Sequence, residues 1–140
     1  MKPNGFPKAE HLCLQRQIEA LFAHPDGHAT VWPLRCIWRK ADEGCNKMLV
    51  SVAKRRLHHA VDRNHAKRQV REFYRLNKYL ITSDADTSFP LHVGFVWLAD
   101  RPIDSEKVEK SIVHLLEKCR NWKERISASE NESLQEKQEL

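Results

Sequence analysis

Apolar residues follow two periods along this chain, and the switches between them mark its elements. Within residues 8–23, Leu14, Ile18, Leu21 and Phe22 recur at i, i+4, i+7 and i+8, which predicts an amphipathic helix with one apolar stripe. His24-Pro25-Asp26-Gly27 ends it, with Pro and Gly as breakers. Residues 30–40 read as extended chain interrupted at Pro33, a short strand followed by a longer one. In the longer part Leu34, Cys36 and Trp38 alternate with Arg35, Ile37 and Arg39, so one face is apolar and the other largely basic. Residues 41–46 form a polar hairpin loop and residues 47–53 a strand. Helical period returns over residues 60–80, where Ala66, Val70, Phe73, Asn77 and Leu80 share a mostly apolar face. Residues 82–88 are turn-like. Residues 91–99 are a continuous apolar run, as expected of a strand at the centre of a sheet. A last helix opens at Pro102-Ile103-Asp104-Ser105, with Asp104 suited to the N-cap and Ile103 and Val108 to a hydrophobic staple. Its buried stripe is Val108, Ile112, Leu115, Leu116, Cys119 and Trp122. Residues 127–140 hold four Glu, one Lys and two Leu, and are expected to be a disordered acidic tail.

This order predicts an α+β fold, a four-stranded sheet with three helices, in a single domain over residues 1–126. Pattern alone predicts a right-handed crossover around the helix of residues 60–80. Of the 140 residues 41% are hydrophobic, enough for a real core. No run of 18 apolar residues is present, so no membrane span is expected. Met1-Lys2-Pro3-Asn4-Gly5 lacks the apolar stretch of a secretory signal, and a cytoplasmic location is expected. The four cysteines, Cys13, Cys36, Cys45 and Cys119, form no Cys-x-x-Cys pair. Buried free thiols, not a zinc site, are the expected state.

Charge changes the picture most. Residues 54–78 carry nine Lys/Arg against two acids, a net +7 in a chain whose total is +5. Such concentration is the footprint of a polyanion-binding surface. Arg63, Lys67, Arg71, Arg75 and Lys78 are spaced by four or three and share one helical face. An ordinary solvated face mixes signs, whereas here Arg68 and Glu72 are the one matched pair at i,i+4. Arg offers forked donors to phosphate oxygens and Lys a point charge.

No protein catalytic site is expected. His58-His59 beside the basic helix are adjacent loop residues, which seldom converge on one phosphate, and no carboxylate is placed to orient either ring. Asp84, Asp86 and Asp100 lack a metal-binding spacing and are explained by turn chemistry.

Residues 63–72, Arg-Asn-His-Ala-Lys-Arg-Gln-Val-Arg-Glu, resemble the signature of the bacterial ribonuclease P protein component. Ser51-Val52-Ala53-Lys54-Arg55, then Ala60-Val61, resemble what that family places before it. Phe6-Pro7-Lys8-Ala9-Glu10-His11-Leu12 resembles its opening, so the likeness covers about residues 6–122. His65 and His11 stand where the family has Arg, keeping a donor but not a permanent charge.

The resemblance implies a fold like domain 2 of ribosomal protein S5, with a left-handed βαβ crossover. It implies a ribonucleoprotein enzyme in which a catalytic RNA, with Mg2+, removes the 5′ leader of precursor tRNA and the protein itself binds no cofactor. The surface for the RNA subunit would comprise Lys54, Arg55, Arg56, Arg63, Asn64, His65, Lys67, Arg68, Arg71 and Arg75. A cleft for the leader would use Ile18, Phe22, Arg35 and either Ile37 or, with a one-residue slip, Trp38. Core packing is the competing account of Ile18 and Phe22. A non-enzymatic RNA-binding module and an autonomous ribonuclease are the rival readings.

Overall fold

In the computed structural model the described residues are 10–12, 14–41, 45–81 and 90–138, with side chains described up to residue 126. The elements are α1 (Gln15–Ala23), β1 (Gly27–Val31), β2 (Leu34–Lys40), β3 (Lys47–Ser51), α2 (Ala60–Asn77), β4 (Leu91–Trp97) and α3 (Ser105–Gln138). The strands form one mixed sheet in the order β1-β2-β4-β3, antiparallel except for the parallel β3–β4 pair that α2 connects. This is the α+β arrangement expected.

Alternation along β2 decides the layering. Leu34, Cys36 and Trp38 point with Val93, Phe95 and Trp97 into a core against α2 and α3. Ile37 points the other way and joins Leu12 and Leu21, with Ile18 and Leu49 packed on them, under α1. The sheet is therefore covered on one face by two helices and crossed on the other by one. Two glycines permit this. A Cβ at Gly94 would lie 3.1 Å from Leu21 Cδ2 and 3.2 Å from Ile37 Cγ1, so Gly94 seats α1 on the sheet. A Cβ at Gly27 would fall 2.4–2.6 Å from three indole atoms of Trp38, so that ring packs directly against the β1 backbone.

Several expectations are corrected. The first helix begins at Gln15, not residue 8. Leu14 is extended at the N-cap, His11 bridges to Met48, and the Leu12 N–H donates to the Met48 carbonyl at 2.9 Å. Pairing with the β3 edge buries Leu12, and a helix through these residues would forfeit that. The first strand starts at Gly27 rather than Thr30, because the hairpin register pairs Gly27 with Trp38. The helix α3 is assigned through Gln138, past residue 127 where the acidic tail begins. No Gly or Pro follows Pro102, and Glu, Gln and Lys are good helix formers, so nothing local stops the helix.

On α2 the buried residues are Ala66, Gln69, Val70 and Tyr74; the apolar-stripe reading omitted Gln69 and Tyr74. Gln69 Nε2 donates to the Ile103 carbonyl and to Ser105 Oγ, fastening α2 to the start of α3. Ile103 and Val108 are both buried, as the staple requires. Trp122 is half-buried and packs against Trp38, with ring centroids 6.1 Å apart. Cys36 and Cys119 are buried thiols outside any disulfide, and burial pushes Cys119 up to about 12. The expected turn at residues 82–88, with Asp84 and Asp86, and Cys13 lie outside the described residues.

Candidate RNA interface

The basic segment begins as a tight loop. Arg56 and Leu57 N–H groups both donate to the Ala53 carbonyl, and Leu57 is buried as the loop's anchor. Lys54 and Arg55 project into solvent, and Arg56 is half-buried. His59 caps α2 without a side-chain bond, and Asp62 in the first turn complements the helix dipole. Arg63 donates through one guanidinium nitrogen to the Leu57 and His58 carbonyls, each at 2.9 Å. It thus ties the loop to the helix instead of extending from it.

The five-residue cationic stripe divides accordingly. Lys78 pairs with Glu10 at 2.9 Å with both side chains mostly buried, which fixes the end of α2 to the chain before α1. Lys67 is half-buried. The open surface is instead a groove lined by Asn64, Arg68, Arg71, Glu72 and Arg75. Positions 64, 68, 71 and 75 are spaced i, i+4, i+7 and i+11, so they form a row along the helix. Glu72 pairs with Arg75 by a two-pronged ion pair, not with Arg68 as spacing had predicted. The Arg75 bond holds the Glu72 carboxyl below its usual range, with direct charge attraction adding to it. Arg68 and Arg71 therefore flank the groove with exposed guanidinium groups, and His65 is exposed beside them.

A second surface lies on the α1 side of the sheet. Its floor has three cross-strand rows: Arg35–Val96–Ser51, Ile37–Gly94–Leu49 and Arg39–His92–Lys47. Leu21 seats on the middle row, so α1 separates the outer two. Ile18 and Phe22 share one side of α1; Arg16, Gln17 and Ala20 lie on the other, where they meet Arg39 and His92. Helical geometry thus turns Ile18 and Phe22 toward the Arg35 row. The basic loop leaves the sheet at Ser51, the end of that same row.

Of the expected cleft residues, Phe22 is 46% exposed and Arg35 is exposed, while Ile18 is half-buried against the small core. Ile37 is buried under α1. Trp38 is corrected: it is 3% exposed on the opposite face, in the main core, and does not reach the cleft. The period of two allows only one of these neighbours on each face.

His92 was missed. The run of residues 91–99 is apolar enough to hide its alternation, yet the same period would have placed His92 opposite Val93 on the α1 face. Burial first, then the neighbouring Lys47 and Arg39, lower the His92 pKa from its ordinary value. His58 and His59 are exposed loop residues. Among the described residues no group of three His, Cys, Asp or Glu is placed to hold a metal ion, and no helix is long and apolar enough to cross a membrane.

Comparison with known proteins places the chain among relatives of one kind. The family described as Ribonuclease P matches residues 6–120. The ribonuclease P protein component of Porphyromonas gingivalis is 38% identical over 113 residues, covering 77% of this chain and 81% of the relative. That of Ectopseudomonas mendocina is 32% identical over 78 residues, covering 56% and 58%. Among solved structures, the RNase P protein of Staphylococcus aureus superposes with a TM-score of 0.66 at 17% identity, covering 80% of this chain and 96% of that one. The Thermotoga maritima RNase P protein gives 0.64 at 21% identity, covering 78% and 96%. At these identities the structures carry the likeness of fold.

Proposed function

Since this chain belongs to the ribonuclease P protein family, we propose that it is the protein subunit of a bacterial ribonuclease P. In that role it binds the RNA subunit and the 5′ leader of precursor tRNA, and so promotes removal of the leader and formation of the mature tRNA 5′ end. The observation that carries the reading is the groove of Asn64, Arg68, Arg71, Glu72 and Arg75 on α2, which the exposed Lys54–Arg55 loop precedes in the chain. The exposed guanidinium groups of Arg68 and Arg71 are forked donors suited to phosphate oxygens. Arg63 contributes by shaping the loop, and Lys67 and His65 stand at the margins of the row.

In this reading the RNA supplies the catalytic centre and holds the Mg2+ that activates water. The protein lowers phosphate repulsion and orients substrate, in the cytoplasm. The half-cleft of Ile18, Phe22 and Arg35 suits single-stranded leader: an exposed ring for a base to stack on, and a cation beside it for phosphate.

Reconstitution tests the whole reading. Mixed with a bacterial ribonuclease P RNA and a precursor tRNA at low magnesium, the protein is expected to stimulate cleavage at the mature 5′ end. Binding of both RNAs without stimulation would favour a non-enzymatic RNA-binding module. Cleavage by the protein alone would favour an autonomous ribonuclease.

The leader cleft has its own test. Phe22→Ala should weaken binding of precursor tRNA by roughly 1–3 kcal/mol, the typical value of a base–aromatic stack, and leave binding of mature tRNA unchanged. Because nearly half of the side chain is exposed, the melting temperature should move little. Equal losses for both tRNAs would remove Phe22 from the leader path.

A further inference from the structure

On the side of α1 away from Phe22 the structure holds a second pocket, of about 310 Å³, lined by Arg16, Gln17, Ala20, Arg39, Lys40, Ala41 and His92. Its floor is the Arg39–His92–Lys47 row of the sheet. No motif of the basic helix includes these residues, and the groove on α2 lies on the other face of the sheet.

We propose that this pocket binds a backbone phosphate of single-stranded RNA, with His92 Nε2 as a hydrogen-bonding group at its base and Arg16 and Arg39 as its cationic walls. The proposal rests on the reading of the chain as an RNA-binding subunit and extends it to the far side of α1.

Three observations carry it. His92 is only 6% exposed, and its buried Nε2 atom has no hydrogen-bond partner. A buried polar nitrogen without a partner is uncommon and costly, and here it belongs to a residue that lines an open pocket. The buried Oε1 of Gln17 is likewise without a partner, so a wall residue and a floor residue each hold an unsatisfied polar atom. Finally, the charged residues that line the pocket are cationic. Arg16 faces the pocket from α1 and Arg39 from β2, Lys40 lines its rim at the end of β2, and Lys47 adjoins His92 from β3. Among the described residues Asp26 places a carboxylate at this end, and its Oδ2 accepts from the Lys40 backbone N–H. Arg39 is held by donating to the His24 carbonyl at 2.6 Å, so its guanidinium is positioned before any ligand arrives.

The chemistry gives the occupant. Two arginines favour a phosphate over a neutral group. In the free protein burial, then the neighbouring Lys47 and Arg39, lower the His92 pKa and so favour its neutral form. A phosphate in the pocket would offset the Arg39 and Lys47 charges and favour the imidazolium, so binding takes up a proton and strengthens as pH falls.

The test follows the imidazole resonances of His92 by NMR in the full chain. It is titrated separately with inorganic phosphate and with a short oligouridylate, at pH 6 and pH 8. The oligonucleotide should shift the His92 resonances, raise their titration midpoint, and bind more tightly at pH 6. Arg16→Gln, at an exposed position that leaves folding intact, should weaken oligonucleotide binding about tenfold, the equivalent of one charge-assisted bond. His92→Gln should flatten the pH dependence that remains at this site. If the oligonucleotide perturbs the ring of Phe22 but leaves His92 and the Arg16→Gln affinity unchanged, the phosphate pocket is refuted and the leader cleft stands. If it perturbs neither, both fall. If inorganic phosphate alone moves His92, the pocket takes a free anion and the assignment to RNA is wrong.

Discussion

Replacing Arg68 and Arg71 with alanine should weaken association with ribonuclease P RNA by roughly 1–3 kcal/mol for each side chain, as lost charge-assisted phosphate bonds do. Both guanidinium groups are exposed and line the α2 groove, so neither substitution removes a contact on which folding depends. Each lost phosphate contact should also lower the slope of log affinity against log salt by about 0.7–0.9, since fewer counterions are released on binding. The measurement is RNA affinity across a salt series for the wild type, the two single variants and the double variant. An unchanged slope would show that these residues do not meet phosphate. Arg63→Ala provides the contrast. Its guanidinium is spent on the Leu57 and His58 carbonyls, so its loss should reduce stability by about 1–3 kcal/mol. RNA affinity should then fall through a loosened loop.

Trp38→Ala should destabilise the protein by about 3–5 kcal/mol, the usual cost of emptying an aromatic site in a packed core. The ring is almost wholly buried, stacks obliquely on Trp122, and lies against the backbone of Gly27. That loss is a large part of the stability of a domain this size, so thermal or urea unfolding will read it directly. Trp38→Phe should cost much less, because the ring position stays filled and the indole N–H, buried without a partner, is removed. Were Trp38 instead a leader-stacking residue, Trp38→Ala would spare stability and impair precursor tRNA binding. Gly27→Ala probes the same packing from the other side, since its new Cβ would collide with the indole.

These two predictions separate what the chain states locally from what the fold assigns. The linear pattern of residues alone carried the α+β order of elements, the concentration of charge at residues 54–78, and the family signature at residues 63–72. Each is a property of neighbours along the chain: a hydrophobic period, a run of like charge, a motif. It also determined that α2 buries one side and exposes cations, because a 3.6-residue period fixes which residues share a face.

Tertiary structure decided how those cations are used. Arg63 and Lys78 carry the same charge as Arg71 and stand on the same predicted stripe. Arg63 meets carbonyls of a loop that folds back on it, and Lys78 meets Glu10, 68 residues earlier in the chain. Glu72 chose Arg75 at i+3 over Arg68 at i−4, and so left Arg68 open to solvent. Strand pairing decided Ile37 against Trp38: once Leu34 and Cys36 enter the main core, the pleat sends Trp38 with them and Ile37 under α1. Placement of α1 across the sheet made two half-clefts from one basic face and put His92 at the bottom of the second. Periodicity encodes which side of an element a residue occupies, whereas the partner waiting on that side comes from a distant segment, and only folding brings it there.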